Sequence, residues 1–528
     1  MGVTLKILCV ILSCLSLVSL TGPTAARALY NPGENPGLTP LYKTTAATPN
    51  TEYVVHNIGK IAMTITNTGQ LGTGFLTSPV CDGEVCPSGE YPINSDLEYH
   101  FAGAFWIGAV VGRDTLVSVG ADGWFTGINE LFPDAGDAGS IVPRSTLKSR
   151  NDYNPYAVSE QDFLCTYTDT FVDPGLTGTD QFDNRPHVPI NVSVQQNSYA
   201  WSYDYAEDFI LFDFKMANIG AFPIKGLYMA LYMDGDVGHR SNANAFADDI
   251  CGFRRTAPMP ADYCIDEDTI NIAWIADNDG DPVDGGWSYT SSVAVTGMRV
   301  VRSPNEDLKY SFNWWVSQGD PTLDFGPRKA GTDDDPFRPF GPHLGTPTGD
   351  KNKYYTMRHD EFDYDQLYTA VSHTGEGYLA PPKPDLASDI ADGYDTRYLL
   401  SFGPFDVQPG DTLPVTVAYI AGDNFHAGPD DFDDYFDAFL PSIFYDKLDF
   451  TDLGTNSRWA SWIFDNPGVD TDTTDSYGVI YPEGQDDSGK FCWSVTYIDT
   501  SIWVVDTIVE PHDSTLVDSL LAVDSTKM

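Results

Sequence analysis

Basic residues are scarce in this 528-residue sequence: 29 Lys and Arg stand against 76 Asp and Glu, for a formal charge of −47. A field of that sign repels nucleic acid and anionic membrane and attracts cations, which excludes nucleic-acid partners. Catalytic signatures are missing as well. There is no HExxH, no GxSxG, no GxxxxGK[ST] and no GxGxxG, so the common routes to zinc, acyl-transfer, phosphate and dinucleotide chemistry are closed. Beyond the first 28 residues no segment reaches eighteen consecutive apolar residues, so the mature chain has no membrane-spanning helix. Disorder is excluded in turn, because 42% of residues are hydrophobic and 13% aromatic.

The N-terminus carries a secretory signature. Lys6 precedes an apolar run from Ile7 to Leu20, and Ala26-Arg27-Ala28 supplies a small-x-small cleavage site. Removal of residues 1–28 takes away Lys6 and Arg27 and moves the charge from −47 to −49. The expected location is extracellular, at the cell surface or in the periplasm. Six cysteines remain, an even number that in an exported chain favours disulfides. Cys81 with Cys86 and Cys251 with Cys264 are the local pairs, which leaves Cys165 for Cys492 among the 15 arrangements six cysteines allow. Zinc is disfavoured because CxxC spacing and a nearby His are both lacking.

Short runs rich in β-branched and aromatic residues dominate the pattern. Examples are "KIAMTIT" (60–66), "FAGAFWIGAVVGRDTLVSVG" (101–120), "TINIAWIA" (269–276) and "KYSFNWWV" (309–316). The stretches 208–220 and 225–236 are expected to pair with one another. Punctuation by Gly, Pro, Asn and Asp indicates a mainly β fold of antiparallel β-sandwich-like units with long loops. Roughly 500 residues suffice for two or three domains. The expected division is 29–205, a first β-rich domain with an extended lead-in; 206–425, a second sandwich-like domain with a long polar loop at 329–390; and 426–528, a small helical element followed by a β-hairpin and tail. Phe432, Tyr435, Phe436 and Phe439 share one helical face within 429–448, and Trp459 and Trp462 lie three apart in a second helical turn.

"NWWVSQGD…LDFGPR" (313–328), "HDEFDYDQ" (359–366), "YDTRYLLSFGPFDVQPGDTLPVTVAYIAGDNFH" (394–426) and "RWASWIFDNPGVDTDTTD" (458–475) carry a resemblance. Together they resemble a family of large, uncharacterised secreted proteins from Gram-negative bacteria related to Bacteroidetes, over roughly residues 55–475. The resemblance implies a large exported β-rich protein and no assigned reaction. Family members often continue into fibronectin-like modules and a C-terminal sorting domain, which the stretch after Cys492 does not resemble.

The chemistry that remains is carboxylate chemistry and aromatic surface. "DNDGD" (277–281), followed by Asp284, packs acids at alternate positions around a glycine. "DGDVG" (234–238) with Asp248 and Asp249 downstream, and "DTDTTD" (470–475), have the same texture. Calcium takes six to eight oxygens, and such loops aim several inward. None is an EF-hand: counting from Asp277, the sixth position is Pro282 and the twelfth Ser288. The expected metal ligands are therefore Asp234, Asp236, Asp248, Asp249, Asp277, Asp279, Asp281, Asp284, Asp470, Asp472 and Asp475, holding structural calcium. His359, crowded by Asp360, Glu361, Asp363 and Asp365, reads as a solvated acidic turn. Trp314, Trp315, Trp459 and Trp462 are the candidate sugar-stacking residues, with core packing as the competing explanation. The expected function is a secreted or cell-surface non-catalytic structural or interaction protein, steadied by calcium, with polysaccharide or other surface proteins as partners. The alternative is a carbohydrate-active hydrolase using paired carboxylates, which 76 acids do not allow the sequence to nominate.

Overall fold

The computed structural model describes residues 49–123, 129–135, 139–180, 183–259, 267–305, 308–317, 324–329, 345 and 347–463, and the backbone of 476–485 and 491–499. The signal segment, Cys264, the side chain of Cys492 and the loop bearing Asp470, Asp472 and Asp475 lie outside the described residues.

Alternating side chains decide the architecture. Along Ala102–Val111, Phe105, Ile107, Ala109 and Val111 point into one apolar cluster, while Ala104 and Trp106 point into another. The strand Glu267–Asp277 behaves alike, with Ala273 and Ile275 on one side and Ile272, Trp274 and Ala276 on the other. A strand whose two faces are both apolar must be covered on both faces, whatever the direction of its neighbours. Two antiparallel sheets result, packed face to face.

The eight-stranded sheet runs in the order Tyr53–His56, Met63–Thr66, Gln70–Gly72, Ala102–Val111, Ile224–Asp234, Thr396–Val407 and Lys309–Val316, with Asp114–Val119 also paired to Ala102–Val111. The nine-stranded sheet runs Asp249–Pro258, Glu267–Asp277, Val295–Arg302, Thr412–Gly422, Phe209–Asn218, Val192–Ala200, Gln161–Thr168 and Phe132–Pro133, with Val142–Arg144 on Gln161–Thr168. Between them Phe105 of the first sheet stacks on Phe214 of the second, with centroids 4.3 Å apart and planes at 6°. Helices cover the outer faces. Tyr354 and Met357 of Gly349–Arg358 pack on Trp106, Tyr232 and Trp315. Leu453, Ala460 and Ile463 of Thr451–Ile463 pack with Trp274 and Ile420.

The fold is mainly β and antiparallel, as expected, but the domain division is corrected. Residues 205 and 206 fall in the connection between Val192–Ala200 and Phe209–Asn218, which are hydrogen-bonded neighbours. Ala102–Val111, from the expected first domain, pairs with Ile224–Asp234, from the second. Both segments therefore build one sandwich around one cluster that runs from Ile61 to Ala421. The expected pairing of 208–220 with 225–236 fails for the same reason: the chain crosses between sheets at Ile219–Pro223, so the two strands lie in different layers.

Three further expectations change. The segment 429–448 forms two short helices, Asp431–Tyr435 and Ser442–Tyr445, because Phe436 turns extended and Pro441 opens the second. Phe432 and Phe436 stack on each other and meet Phe444 edge-on, whereas Tyr435 and Phe439 stay exposed. The turn-rich stretch 329–390 contributes the covering helix Gly349–Arg358 and a second helix, Pro384–Asp392. Of the expected disulfides Cys81–Cys86 is formed, with Cα atoms 5.4 Å apart. Cys165 and Cys251 are free thiols buried in the inter-sheet core, where strand packing and not cross-linking occupies them. Among the described residues no helix is long and apolar enough to cross a membrane.

A single interleaved core has a measurable consequence. Denaturant unfolding followed by tryptophan fluorescence and by circular dichroism is expected to give one coincident transition. Phe214→Ala should lower its free energy by about 3–5 kcal/mol. Two separated transitions would restore the two-domain division.

Candidate metal centre

The strands Asp249–Pro258 and Glu267–Asp277 pair with Asp249 opposite Asp277, so the entry of one and the exit of the other meet at one end of the sandwich. Asp248 immediately precedes that point, and the loop after Asp277 folds back over it. The fold-back has a local cause. Oδ1 of Asp277 accepts the backbone N–H of Asp279 at 2.9 Å and of Gly280 at 2.5 Å, and Oδ1 of Asp279 accepts that of Asp281 at 2.7 Å. These are Asx-type turns, which aspartate favours. Gly280 has φ +80°, and a Cβ there would lie 3.1 Å from the rings of His426 and Trp287, so glycine suits both the dihedral and the space.

The result brings Asp248, Asp277 and Asp281 together, with one carboxylate oxygen from each lying within 4.8 Å of the others. Oxygens bound to a single calcium at about 2.3–2.6 Å are separated by no more than about 5.2 Å, so the spacing fits. Asp277 is fully buried, and among the described residues its Oδ2 has no hydrogen-bond partner, nor has Oδ1 of Asp248. A buried carboxylate oxygen without a donor is costly, and a cation relieves that cost. The donor set is oxygen alone, which suits calcium or magnesium and not the softer transition metals.

Electrostatics point the same way. Burial, then Asp248, Asp281 and Asp279, pushes the Asp277 carboxyl well above its usual range. Asp248 is raised to about 7 by burial, then by Asp281 and Asp279. Asp281 is raised by burial and by Asp279, with His239 opposing. Asp249, whose Oδ1 accepts the Val237 N–H at 3.0 Å, is raised by burial and Asp236; Asp236 is raised to about 8 by burial, Asp234 and Asp395. Arg397 answers part of this charge: its Nε lies 2.8 Å from Asp234 and its Nη1 3.1 Å from Asp395. His426 donates from Nε2 to the Asp277 carbonyl at 2.9 Å and is lowered by burial to about 4, so it stays neutral.

Of the expected ligands, Asp248, Asp277 and Asp281 converge, and Asp279, Asp249 and Asp236 border them. Asp234 is taken by Arg397 and does not join the triad. Asp284 is exposed, at the tip of the turn that closes Val283 on Gly286. Sequence reasoning missed His426 and Arg397, which lie over a hundred positions from the Asp277 loop and carry no local signal. The acidic turn around His359 is not solvated. Asp363 is buried and accepts from Asn313 Nδ2 and from the Trp314 N–H, and Asp365 accepts from the Phe253 N–H.

The aromatic candidates divide. Trp314 and Trp315 are 1% and 2% exposed, on opposite faces of one strand, so both belong to the interior. Trp462 is buried at 8%, with Trp459 half-buried against it. Trp459 meets Tyr205 at 5.2 Å, and Tyr205 stacks on Tyr203 at 5.6 Å; both tyrosines are exposed. Two cavities bear on hydrolase chemistry. One of about 10 Å³ beside Trp315 contains Asp363, and one open depression of about 430 Å³ at Ser149–Asp152 contains Asp152. Neither presents two opposed acids.

No family model and no curated protein matches this chain. Solved structures similar to it include a GH36 alpha-galactosidase from Geobacillus stearothermophilus in complex with raffinose, at 9% identity and a TM-score of 0.23 over 71% of this chain and 41% of that one. A putative aldose 1-epimerase from Escherichia coli K12 gives 8% and 0.21, over 71% of this chain and 100% of its own. A GalM/aldose epimerase homologue from C. elegans gives 10% and 0.22, over 71% and 99%. The chain spans less than half the length of the galactosidase. Likenesses at these scores carry no information about function.

The raised carboxyls set a pH dependence in calcium-free buffer. Their folded-state values lie above the unfolded value of about 3.9, so the stability they contribute is complete below that pH and is lost as pH rises through the folded values. Asp248, with a folded value of about 7, dates the loss. The facing groups Asp234, Asp236, Asp249, Asp277, Asp279, Asp281, Asp392, Asp395, Arg397, His239 and His426 act with it. Melting temperature in EDTA should therefore fall between pH 5 and pH 8, and Asp248→Asn should flatten the fall. An equal fall in that variant would remove the cluster as its source.

Proposed function

We propose that the protein is exported and acts outside the cytoplasm as a non-catalytic structural or interaction scaffold. Calcium at Asp248, Asp277 and Asp281 steadies one end of its sandwich. The observation that carries this reading is the fully buried, unpartnered Oδ2 of Asp277 within a triad whose oxygens are spaced for one hard cation. The signal-like N-terminus and the charge of −47 suit a calcium-rich exterior. Hydrolysis is the weaker reading, because neither cavity described above presents two opposed acids.

Extracellular modules bind calcium with dissociation constants of about 10⁻⁴–10⁻³ M. At ten times the constant, linkage adds about 1.4 kcal/mol. A thermal melt in millimolar calcium should exceed that in EDTA by several degrees, with magnesium giving less. Asp281→Asn should raise the melt in EDTA, by removing repulsion, and lower the increment from calcium. An equal rise with magnesium, or an undiminished calcium increment in the variant, would mean general charge screening.

For a polysaccharide partner, the reading moves the contact from Trp314 and Trp315 to the exposed Tyr203 and Tyr205 and the half-buried Trp459. Retention on insoluble polysaccharide should fall in Tyr203→Ala/Tyr205→Ala. Retention that persists in the double variant would take sugar binding away from this ledge.

A further inference from the structure

A second buried polar group lies on the opposite side of the molecule's chemistry: it contains a lysine. Lys353, on the helix Gly349–Arg358, is 3% exposed, and its Nζ lies 2.5 Å from Oδ2 of Asp122, which is 5% exposed. Asp122 lies three positions past the end of the strand Asp114–Val119. The pair sits in the apolar layer between sheet and helix, whose members include Trp106, Val119, Ala121, Tyr354 and Met357. The Trp106 ring lies 5.6 Å from Nζ, and its Nε1 holds the Ala121 carbonyl at 2.6 Å, fixing the backbone next to Asp122. Glu130 is buried nearby; its Oε2 accepts the Val119 N–H at 3.1 Å, and its Oε1 faces His187 Nδ1 at 2.9 Å. After Asp122, Glu130 is the strongest charge acting on Lys353.

Burial opposes the Lys353 charge, while Asp122 and then Glu130 hold its proton, yet the ammonium is short of hydrogen-bond acceptors among the described residues. An ammonium has three donors, and the hydrogen bond to Asp122 is the one Lys353 makes among the described residues. An ammonium withdrawn from water into an aromatic layer recovers its desolvation only when further hydrogen bonds complete it. A secondary amide would carry no charge and one N–H in the same space. The contact also favours reaction, since it holds Nζ 2.5 Å from the Asp122 carboxyl with both side chains buried away from water.

We propose that Lys353 and Asp122 condense into an intramolecular amide, an isopeptide bond between helix and sheet, with Glu130 relaying the proton. Within the 2.5 Å contact, the Nζ proton passes to the Asp122 carboxylate and leaves a neutral amine and a neutral acid. The lone pair of Nζ attacks Cγ, and the C–N bond forms. Glu130 takes a proton from Nζ and returns it to the departing hydroxyl as the C–O bond breaks. One amide and one water are the products, and no oxidant or co-reactant is consumed. The bond would tie together positions 231 residues apart and anchor the covering helix covalently.

Mass spectrometry of the purified full chain decides the matter. The expected intact mass, under reducing conditions and in EDTA, is one water below the sequence mass. A tryptic digest should yield a branched peptide joining the Asp122 and Lys353 segments, with no cleavage after Lys353. Lys353→Arg keeps a charge for the ion pair and should return the full mass; Glu130→Gln keeps the side chain's size and one acceptor oxygen yet should leave an uncrosslinked fraction. A wild-type chain at full mass overturns the proposal. So does a water loss that survives in Lys353→Arg, since Asp122-Gly123 can lose water as a succinimide and leave the lysine free. Complete crosslinking in Glu130→Gln would overturn the part given to Glu130.

Discussion

The contact of two inner sheet faces is the constraint on which everything else rests. Phe105 against Phe214 lies within it, and the cluster around them draws on strands from Ile61 to Ala421. Burying so many aromatic and branched side chains is the dominant favourable term in folding. The chain obtains that burial by crossing repeatedly from one sheet to the other. Each crossing brings strand ends together, and the acidic turns gather where those ends converge. The aspartate triad is thus a product of the core: Asp248 and Asp277 meet because Asp249 and Asp277 are paired residues of neighbouring strands.

The outer faces show a second consequence. Because Ala102–Val111 and Glu267–Asp277 are apolar on both sides, each sheet needs a cover, and helices supply it. The covers are short, and most residues of Gly349–Arg358 are buried. The helix Gly349–Arg358 is held by Tyr354 and Met357 in the apolar layer and by two charged contacts, Lys353 with Asp122 and Asp350 with Arg185. The scarcity of basic residues makes the placement of each buried one informative. Arg397 answers Asp234 and Asp395 at one end of the sandwich, and Lys353 answers Asp122 on its outer face.

Local pattern made much of this legible. The turn at Gly112-Arg113 joins two strands that pair as a hairpin, and the runs at 269–276 and 309–316 are strands. Cys81 and Cys86 bridge across five positions. The Asx turns of "DNDGD" follow from aspartate and glycine themselves. Trp314 and Trp315 were ambiguous for a definite reason: adjacent strand residues face opposite ways, and only a cover on each face buries both. Phe432 through Phe439 misled because helical spacing is counted along an unbroken helix, and Pro441 with the extended Phe436 breaks this one.

By itself, the sequence determined composition-driven properties and local geometry: a strongly acidic β-rich chain, its strands, its turns and the types of ligand its loops can offer. Those depend on interactions within a few residues. Which strands share a sheet, which aspartates converge and which lysine meets which acid were decided by tertiary structure alone. Asp277 finds His426 149 positions away, and Asp122 finds Lys353 231 away. Such meetings are fixed by how two twisted sheets close over a common core, a long-range condition that no window of neighbouring residues encodes.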